Sequence, residues 1–332
     1  MERWKIRSAA DRCPGARWLN SCLGAAALLM LAVSSLRAQL PQLDIRPTRV
    51  AAEAFRAPDL RVDVDLVLLP VIVTNRSGAV VDGLDASSFT VLEDKAPKPI
   101  VSFGHEDMPC SVGIVVDLSG SMLGKTGVAA GAVHAFLDTA NADDEAFLLT
   151  VSTRPDTLSG FTKDFGNLEY QLSQARSGGA TALVDTIHLA LERLHSAHNG
   201  HRALLIVSDG MDNHSRYSET ELLHFAEEAD IQIYTIGMTP STGNKKAIEL
   251  TEERNGLAFL DHLADRSGGL SFTLASYENP VPVAAKIGRA IRDQYLIGYR
   301  PSSGEPGTWR AVQVKVDVPQ VRVSSRTGYL SR

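Results

Sequence analysis

The sequence predicts an α/β protein in which a doubly wound, mostly parallel sheet is inserted between two β segments that pair into a small β-sandwich. Three observations carry that expectation. From Ser111 onward, wholly apolar runs such as Gly113-Ile-Val-Val116 and Leu204-Leu-Ile-Val207 alternate with amphipathic stretches, the pattern of parallel strands covered by helices on both faces. On either side of that block the period changes to two, as in Val312, Val314, Val316 and Val318, which marks half-buried strands. Neither flank is long enough to hold a core alone, so each needs the other.

The first 38 residues read as a secretory signal. Arg3, Lys5, Arg7, Arg12 and Arg17 precede the apolar run Leu23 to Val33, and Ser34-Ser-Leu-Arg-Ala38 offers a cleavage site after Ala38. The expected destination is the periplasm, the cell surface or the medium. No apolar run reaches the roughly 18 residues of a spanning helix. Without residues 1–38 the chain keeps 27 basic and 37 acidic residues, a formal charge of −10, which argues against nucleic acid and anionic membrane as partners. Cys13 and Cys22 leave with the signal, so Cys110 stands alone and no internal disulfide is expected.

Residues 39–60, with three prolines and no clear period, read as a linker. The N-terminal β segment, 61–107, opens with Arg61-Val-Asp-Val-Asp-Leu66-Val-Leu68, whose apolar residues fall on even positions. After Pro70 the set moves to Val71 and Val73, which predicts a bulge or an edge position at the proline. A turn at Asn75–Gly78, a return strand at Val80-Val81 and a strand at Phe89–Leu92 follow.

The α/β block, 108–295, is expected to place strands at Val112–Val116, Ala146–Val151, Ala203–Val207, Ile231–Ile236 and Leu270–Leu274. Helices are expected at Thr126–Thr139, Asn167–Ala175, Leu183–His195, Glu219–Glu228 and Leu257–Asp265. The C-terminal β segment, 296–332, continues a strand at Tyr295–Tyr299 through a loop at Pro301–Gly307 into the Val312–Val318 alternation and Val321, Val323.

Doubly wound sheets bind ligands where strands end and helices begin. Three such loops are rich in oxygen: Asp117-Leu-Ser119-Gly-Ser121, Gly178-Gly-Ala-Thr181, and Ser208-Asp209-Gly210. Two carboxylates and three hydroxyls form an all-oxygen shell suited to a hard divalent cation, Mg²⁺, Mn²⁺ or Ca²⁺. Such a shell under-neutralises the metal and leaves it able to take one more anionic ligand. The competing explanation is local, because Ser and Asp after a strand also serve as helix N-caps.

Asp117-x-Ser119-x-Ser121, Thr181 in Gly-Gly-x-Thr-Ala-Leu, and Asp209 in Ser-Asp-Gly resemble the metal-ion-dependent adhesion site of von Willebrand factor type A domains, the family of the integrin inserted domains. The resemblance implies a cation held directly by Ser119, Ser121 and Thr181, with Asp117 and Asp209 acting mainly through water. It also implies a last coordination position filled by a Glu or Asp of a protein partner, and a last helix, about Val281–Arg292, that shifts on binding. The longer chain is similar to an exported acidobacterial subgroup at Val73-Thr74, Gly83-Leu84, Phe89–Asp94, Tyr295–Tyr299 and Thr327-Gly-Tyr. The expected function is an exported, non-enzymatic, metal-dependent protein-binding module.

Two alternatives come from other classes. One is a structural scaffold whose β-sandwich is the working surface and whose metal only steadies the loops. The other is an NTPase: Ser119-Gly-Ser-Met-Leu-Gly124-Lys125-Thr126 misses the phosphate-binding pattern G-x-x-x-x-G-K-[ST] only at its first position. That reading puts Asp117 beside the phosphates and gives Thr181 no task.

Asp185, one turn after Thr181, is expected to favour its helix N-terminus, and Asp212-Asn213 to form a turn. His195, His198 and His201 cluster near a helix end and read as a solvated terminus in preference to a zinc site. His105-Glu106 lacks the second histidine of a zinc protease because Pro109 stands in its place, and there is no G-x-S-x-G elbow. Asn75-Arg-Ser77 and Asn213-His-Ser215 fit a glycosylation acceptor, which matters only in a eukaryote.

Overall fold

A computed structural model describes residues 66–105, 107–239 and 247–331. The signal, the linker and the alternation at 61–65 lie outside the described residues. Among the described residues no helix is long and apolar enough to cross a membrane.

The N-terminal segment folds as β1 (Val67–Asn75), β2 (Phe89–Glu93), β3 (Ala96–Lys98) and β4 (Ile100–His105). The α/β block follows as β5 (Cys110–Asp117), α1 (Thr126–Leu137), β6 (Glu145–Val151), β7 (Asp156–Thr162), α2 (Phe165–Gln174), α3 (Leu183–Leu194), β8 (His201–Ser208), α4 (Glu219–Ala229), β9 (Gln232–Thr239), α5 (Ala247–Ser267), β10 (Ser271–Ala275) and α6 (Val281–Arg292). The chain ends in β11 (Tyr295–Tyr299), β12 (Trp309–Val316), β13 (Val321–Ser324) and β14 (Gly328–Leu330).

Two four-stranded antiparallel sheets, ordered β13-β1-β11-β4 and β14-β12-β2-β3, share one core. Leu69, Val71 and Val73 of β1 meet Phe89 and Val91 of β2, Ile297 of β11 and Val314 of β12 in it. β1 pairs with β11 and β2 with β12, so both sheets are completed by residues from both ends of the chain. His105 and Tyr295, where the chain leaves and re-enters the sandwich, are register partners. The inserted block therefore starts and ends at one place.

In β1 the face toward the second sheet is odd on both sides of Pro70: Val71 and Val73 are buried as expected, but the even set expected before the proline is corrected. Leu66 and Leu68 are exposed, while Leu69, Val71 and Val73 are fully buried. The even alternation cannot persist because the residues that face the second sheet are fixed by pairing with β11. Pro70 stays in register opposite Leu296 with no bulge. It lies in the half of β1 that pairs only with β11, since β13 covers Ile72–Asn75, so the edge explanation holds there.

The inserted sheet has the order β10-β9-β8-β5-β6-β7 and is parallel except for β7, an edge strand antiparallel to β6. Alternate residues of its inner strands feed two cores. Ile114, Val116, Leu205 and Val207 pack under α1, α2 and α6, and Val115, Leu204 and Ile206 pack under α3, α4 and α5. That double burial is why the strands read as continuous apolar runs. Strand order reverses at β5, whose neighbours are β6 on one side and β8 on the other. The crevice beyond the carboxyl ends of β5 and β8 is thus the switch point of the sheet.

Candidate metal centre at the sheet switch point

β5 ends on Asp117 and β8 on Ser208, which puts the first and third predicted loops side by side. Asp117 is fully buried. One of its oxygens accepts from the Ser119 amide at 2.9 Å and the other from the Ser208 hydroxyl at 2.6 Å. Burial, helped by the nearby charge of Asp209, pushes its carboxyl up to about 6 against the pull of those hydrogen bonds. A carboxylate held in that state is poorly neutralised by its surroundings.

Ser119 immediately precedes the 3₁₀ turn Gly120–Met122 and Ser121 lies within it, and their hydroxyls are 3.1 Å apart. The Ser121 hydroxyl donates to Asp209 Oδ1 at 3.3 Å. The N-cap explanation for these serines does not hold, because Ser119 makes no side-chain capping bond and α1 starts after Lys125. Asp209 is 1% exposed, and its other oxygen accepts from Lys125 Nζ at 2.6 Å.

Thr181 arrives through the backbone. Gly120 donates to the Gly179 carbonyl at 3.0 Å, and Gly178 to that of Leu118 at 2.6 Å, so the second loop is laced to the first. Gly178 and Gly179 have φ of +135° and +91°, a path that other residues rarely follow. On the far side, the amides of Asn213 and His214 both donate to the Thr181 carbonyl, and Asn213 Oδ1 accepts from the Thr181 amide. Thr181 is 2% exposed, and among the described residues its hydroxyl has no hydrogen-bond partner. No hydrogen bond joins that hydroxyl directly to the other four side chains among the described residues.

The loop after β8 does more than turn. Asp212 accepts from the Val184 amide at 2.9 Å and from its own loop at Ser215, thereby capping α3 from outside the helix. Asp185 accepts from the amides of Arg216 and Tyr217 and from Arg216 Nε. Burial alone would raise its carboxyl, but these bonds outweigh it and hold the group below the ordinary range. Asp185 therefore clamps the 212–217 loop, a role its position in the sequence does not reveal. The histidines disperse: His198 is held by Glu145 at 2.8 Å, and burial lowers His201.

The donor set fits a hard divalent cation in kind, with hydroxyls and carboxylates on three converging loops. Lys125, which the NTPase alternative would turn toward a phosphate, is 4% exposed and directed at Asp209. On the rim, Leu123 is 66% exposed. An open cleft of about 640 Å³ adjoins the site, with Leu118, Gly178 and Gly179 on one wall and Thr153 and Arg176 among its other residues.

A profile of the von Willebrand factor type A domain matches residues 112–211. No curated protein matches the chain. Among solved structures, the conserved hypothetical protein BatB of Bacteroides thetaiotaomicron is 18% identical, covering 55% of this chain and 98% of that one at a TM-score of 0.43. The von Willebrand domain of the type V pili tip protein Mfa5 of Porphyromonas gingivalis is 15% identical, covering 56% and 94% at 0.41. The von Willebrand factor type A protein of Catenulispora acidiphila is 11% identical, covering 80% and 74% at 0.44. The profile match falls on the segment that contains all five site residues and leaves both β flanks outside it. Residues 112–211 of this chain belong to a von Willebrand factor type A domain, set between the two halves of a β-sandwich.

Proposed function

We propose that the chain is an exported protein-binding module whose α/β domain holds Mg²⁺, Mn²⁺ or Ca²⁺ through the hydroxyls of Ser119, Ser121 and Thr181. Asp117 and Asp209 orient water around the ion and offset its charge. A Glu or Asp of a partner protein completes the coordination. What supports this reading is that paired serine hydroxyls meet the Asp209 carboxylate at the switch point of the sheet, beside the buried Asp117, with the loop that carries Thr181 laced to them through its backbone. The exposed Leu123 and the adjoining cleft supply contact surface around the acidic anchor, as protein recognition requires.

The test is calorimetric titration of the chain with Mg²⁺, Mn²⁺ and Ca²⁺, set against Ser121→Ala and Thr181→Val. Saturable binding is expected in the parent, weakened about tenfold or more in each variant, as loss of a direct ligand requires. Because the Thr181 hydroxyl has no protein partner among the described residues, Thr181→Val should leave metal-free stability within about 1 kcal/mol. Equal affinity in parent and Thr181→Val would remove that residue from the site. Loss of stability in the variants without loss of binding would move the weight to the scaffold reading.

A further inference from the structure

Lys125 has no part in the reading above, yet it lies inside the site. Its ammonium is 2.6 Å from Asp209 Oδ2, and the two side chains are 6% and 2% exposed. Gly124, at φ +82°, turns the chain just before it. Lys125 then serves as the residue ahead of α1 with no side-chain capping bond, so its charge is spent on Asp209. The same carboxylate offers Oδ1 to Ser121. A divalent ion at the serine hydroxyls and the ammonium would thus face each other across one carboxylate in a buried, low-dielectric place, where like charges repel strongly.

We propose that Lys125 is a resident counter-ion that competes with the divalent cation for Asp209, and that it makes metal binding depend on the partner's carboxylate. The inference rests on the metal-dependent reading of the site. The charge balance carries it. Asp117, Asp209 and Lys125 together sum to −1 with both carboxylates ionised; a divalent ion takes the sum to +1, and one carboxylate from a partner returns it to zero. Buried charge is tolerated when it is paired, so the ternary arrangement is favoured over metal alone. In the absence of metal the ammonium holds the Ser119–Lys125 turn against β8, which keeps the loop shaped for its task.

The experiment is Mg²⁺ titration and metal-free thermal melting of the parent chain, Lys125→Met and Lys125→Arg. Lys125→Met keeps the length and removes the charge. It is expected to bind Mg²⁺ about tenfold or more tightly than the parent, to melt lower without metal because Asp209 loses its partner, and to gain more from added Mg²⁺. Lys125→Arg keeps the charge and should bind no more tightly than the parent. Should the methionine variant fail to fold, Lys125→Gln retains a donor to Asp209 and is titrated in its place, with the same gain expected. Parent and uncharged variant binding Mg²⁺ equally would overturn the competition while leaving the metal site intact. Binding in the uncharged variant alone would support the competition and show that the parent excludes the ion. Binding in neither would overturn both.

Discussion

Glu93→Ala is expected to destabilise the protein by about 3–5 kcal/mol, the range for removing one partner of a buried, hydrogen-bonded charge. Glu93 ends β2 and is 1% exposed. Its Oε2 accepts from Tyr329 at 2.7 Å and Tyr299 at 3.0 Å, and its Oε1 from the Ser302 amide at 2.8 Å. Lys98 stands 3.3 Å away and also reaches the Ser302 hydroxyl. Tyr299 belongs to one sheet of the sandwich and Tyr329 to the other, so a single carboxylate ties the layers and the incoming β11–β12 loop. Truncation leaves two hydroxyls, an amide and an ammonium without their acceptor, each costing about 1–3 kcal/mol where it stays dry. Denaturant unfolding at pH 7 reads the loss.

The same residue fixes a pH dependence. Burial would raise the Glu93 carboxyl, but its hydrogen bonds from Ser302, Tyr329 and Tyr299 outweigh that and hold it at about 2, below the ordinary 4.5. A depressed carboxyl contributes stability that is complete above the unfolded value and is lost as pH falls toward the folded one. Parent stability should therefore decline between pH 4.5 and 2 more steeply than that of Glu93→Gln, which cannot titrate. Parallel curves for the two would show that the network does not depend on the carboxylate's charge.

Legibility followed burial. The strands of the inserted sheet were readable because both faces are covered, whereas α6, whose Ala284, Ile287 and Ile291 recur on its buried side, was expected at Val281–Arg292 only through the family resemblance. β7 was not found. It is a polar edge strand, Asp156-Thr-Leu-Ser-Gly-Phe-Thr162, whose pairing with β6 shifts register twice, so neither composition nor period marks it. β3, β4 and β14 are short or half-exposed edges and escaped for the same reason. That Asp117 and Asp209 come side by side was legible because the sheet delivers the ends of β5 and β8 to one place, whereas the loop of Thr181 follows a helix, and what ties it to them is backbone bonding that no local pattern marks. The partner of Lys125 was not legible, since Asp209 is 84 residues away in the sequence. Glu93 was within reach of sequence reasoning, because period two puts it on the face of Phe89 and Val91, yet its polar neighbourhood of Glu93-Asp94 reads as a turn.

Gly210→Ala is expected to cost about 3 kcal/mol or more and to abolish metal binding with it. Gly210 follows Asp209 at φ +77°, and a β-carbon there would stand 2.1 Å from the Gly256 carbonyl oxygen of α5. The approach is mutual: a β-carbon on Gly256 would meet the Asp209 carbonyl at 2.7 Å. Two glycines thus let α5 press against the turn that aims Asp209 at Ser121 and Lys125, and neither backbone can yield without moving that carboxylate. Gly83→Ala supplies the comparison, for it shares the left-handed backbone at φ +72° but meets nothing within 4 Å, so it should cost about 1 kcal/mol. The difference between the two variants isolates the close contact from the backbone penalty. Equal losses, or unchanged Mg²⁺ affinity in Gly210→Ala, would mean that α5 gives way and that the position of Asp209 is set by Ser121 and Lys125 alone. A large gap with binding lost would make the packing of α5 on this turn a structural condition for the metal centre, independent of the ligands themselves.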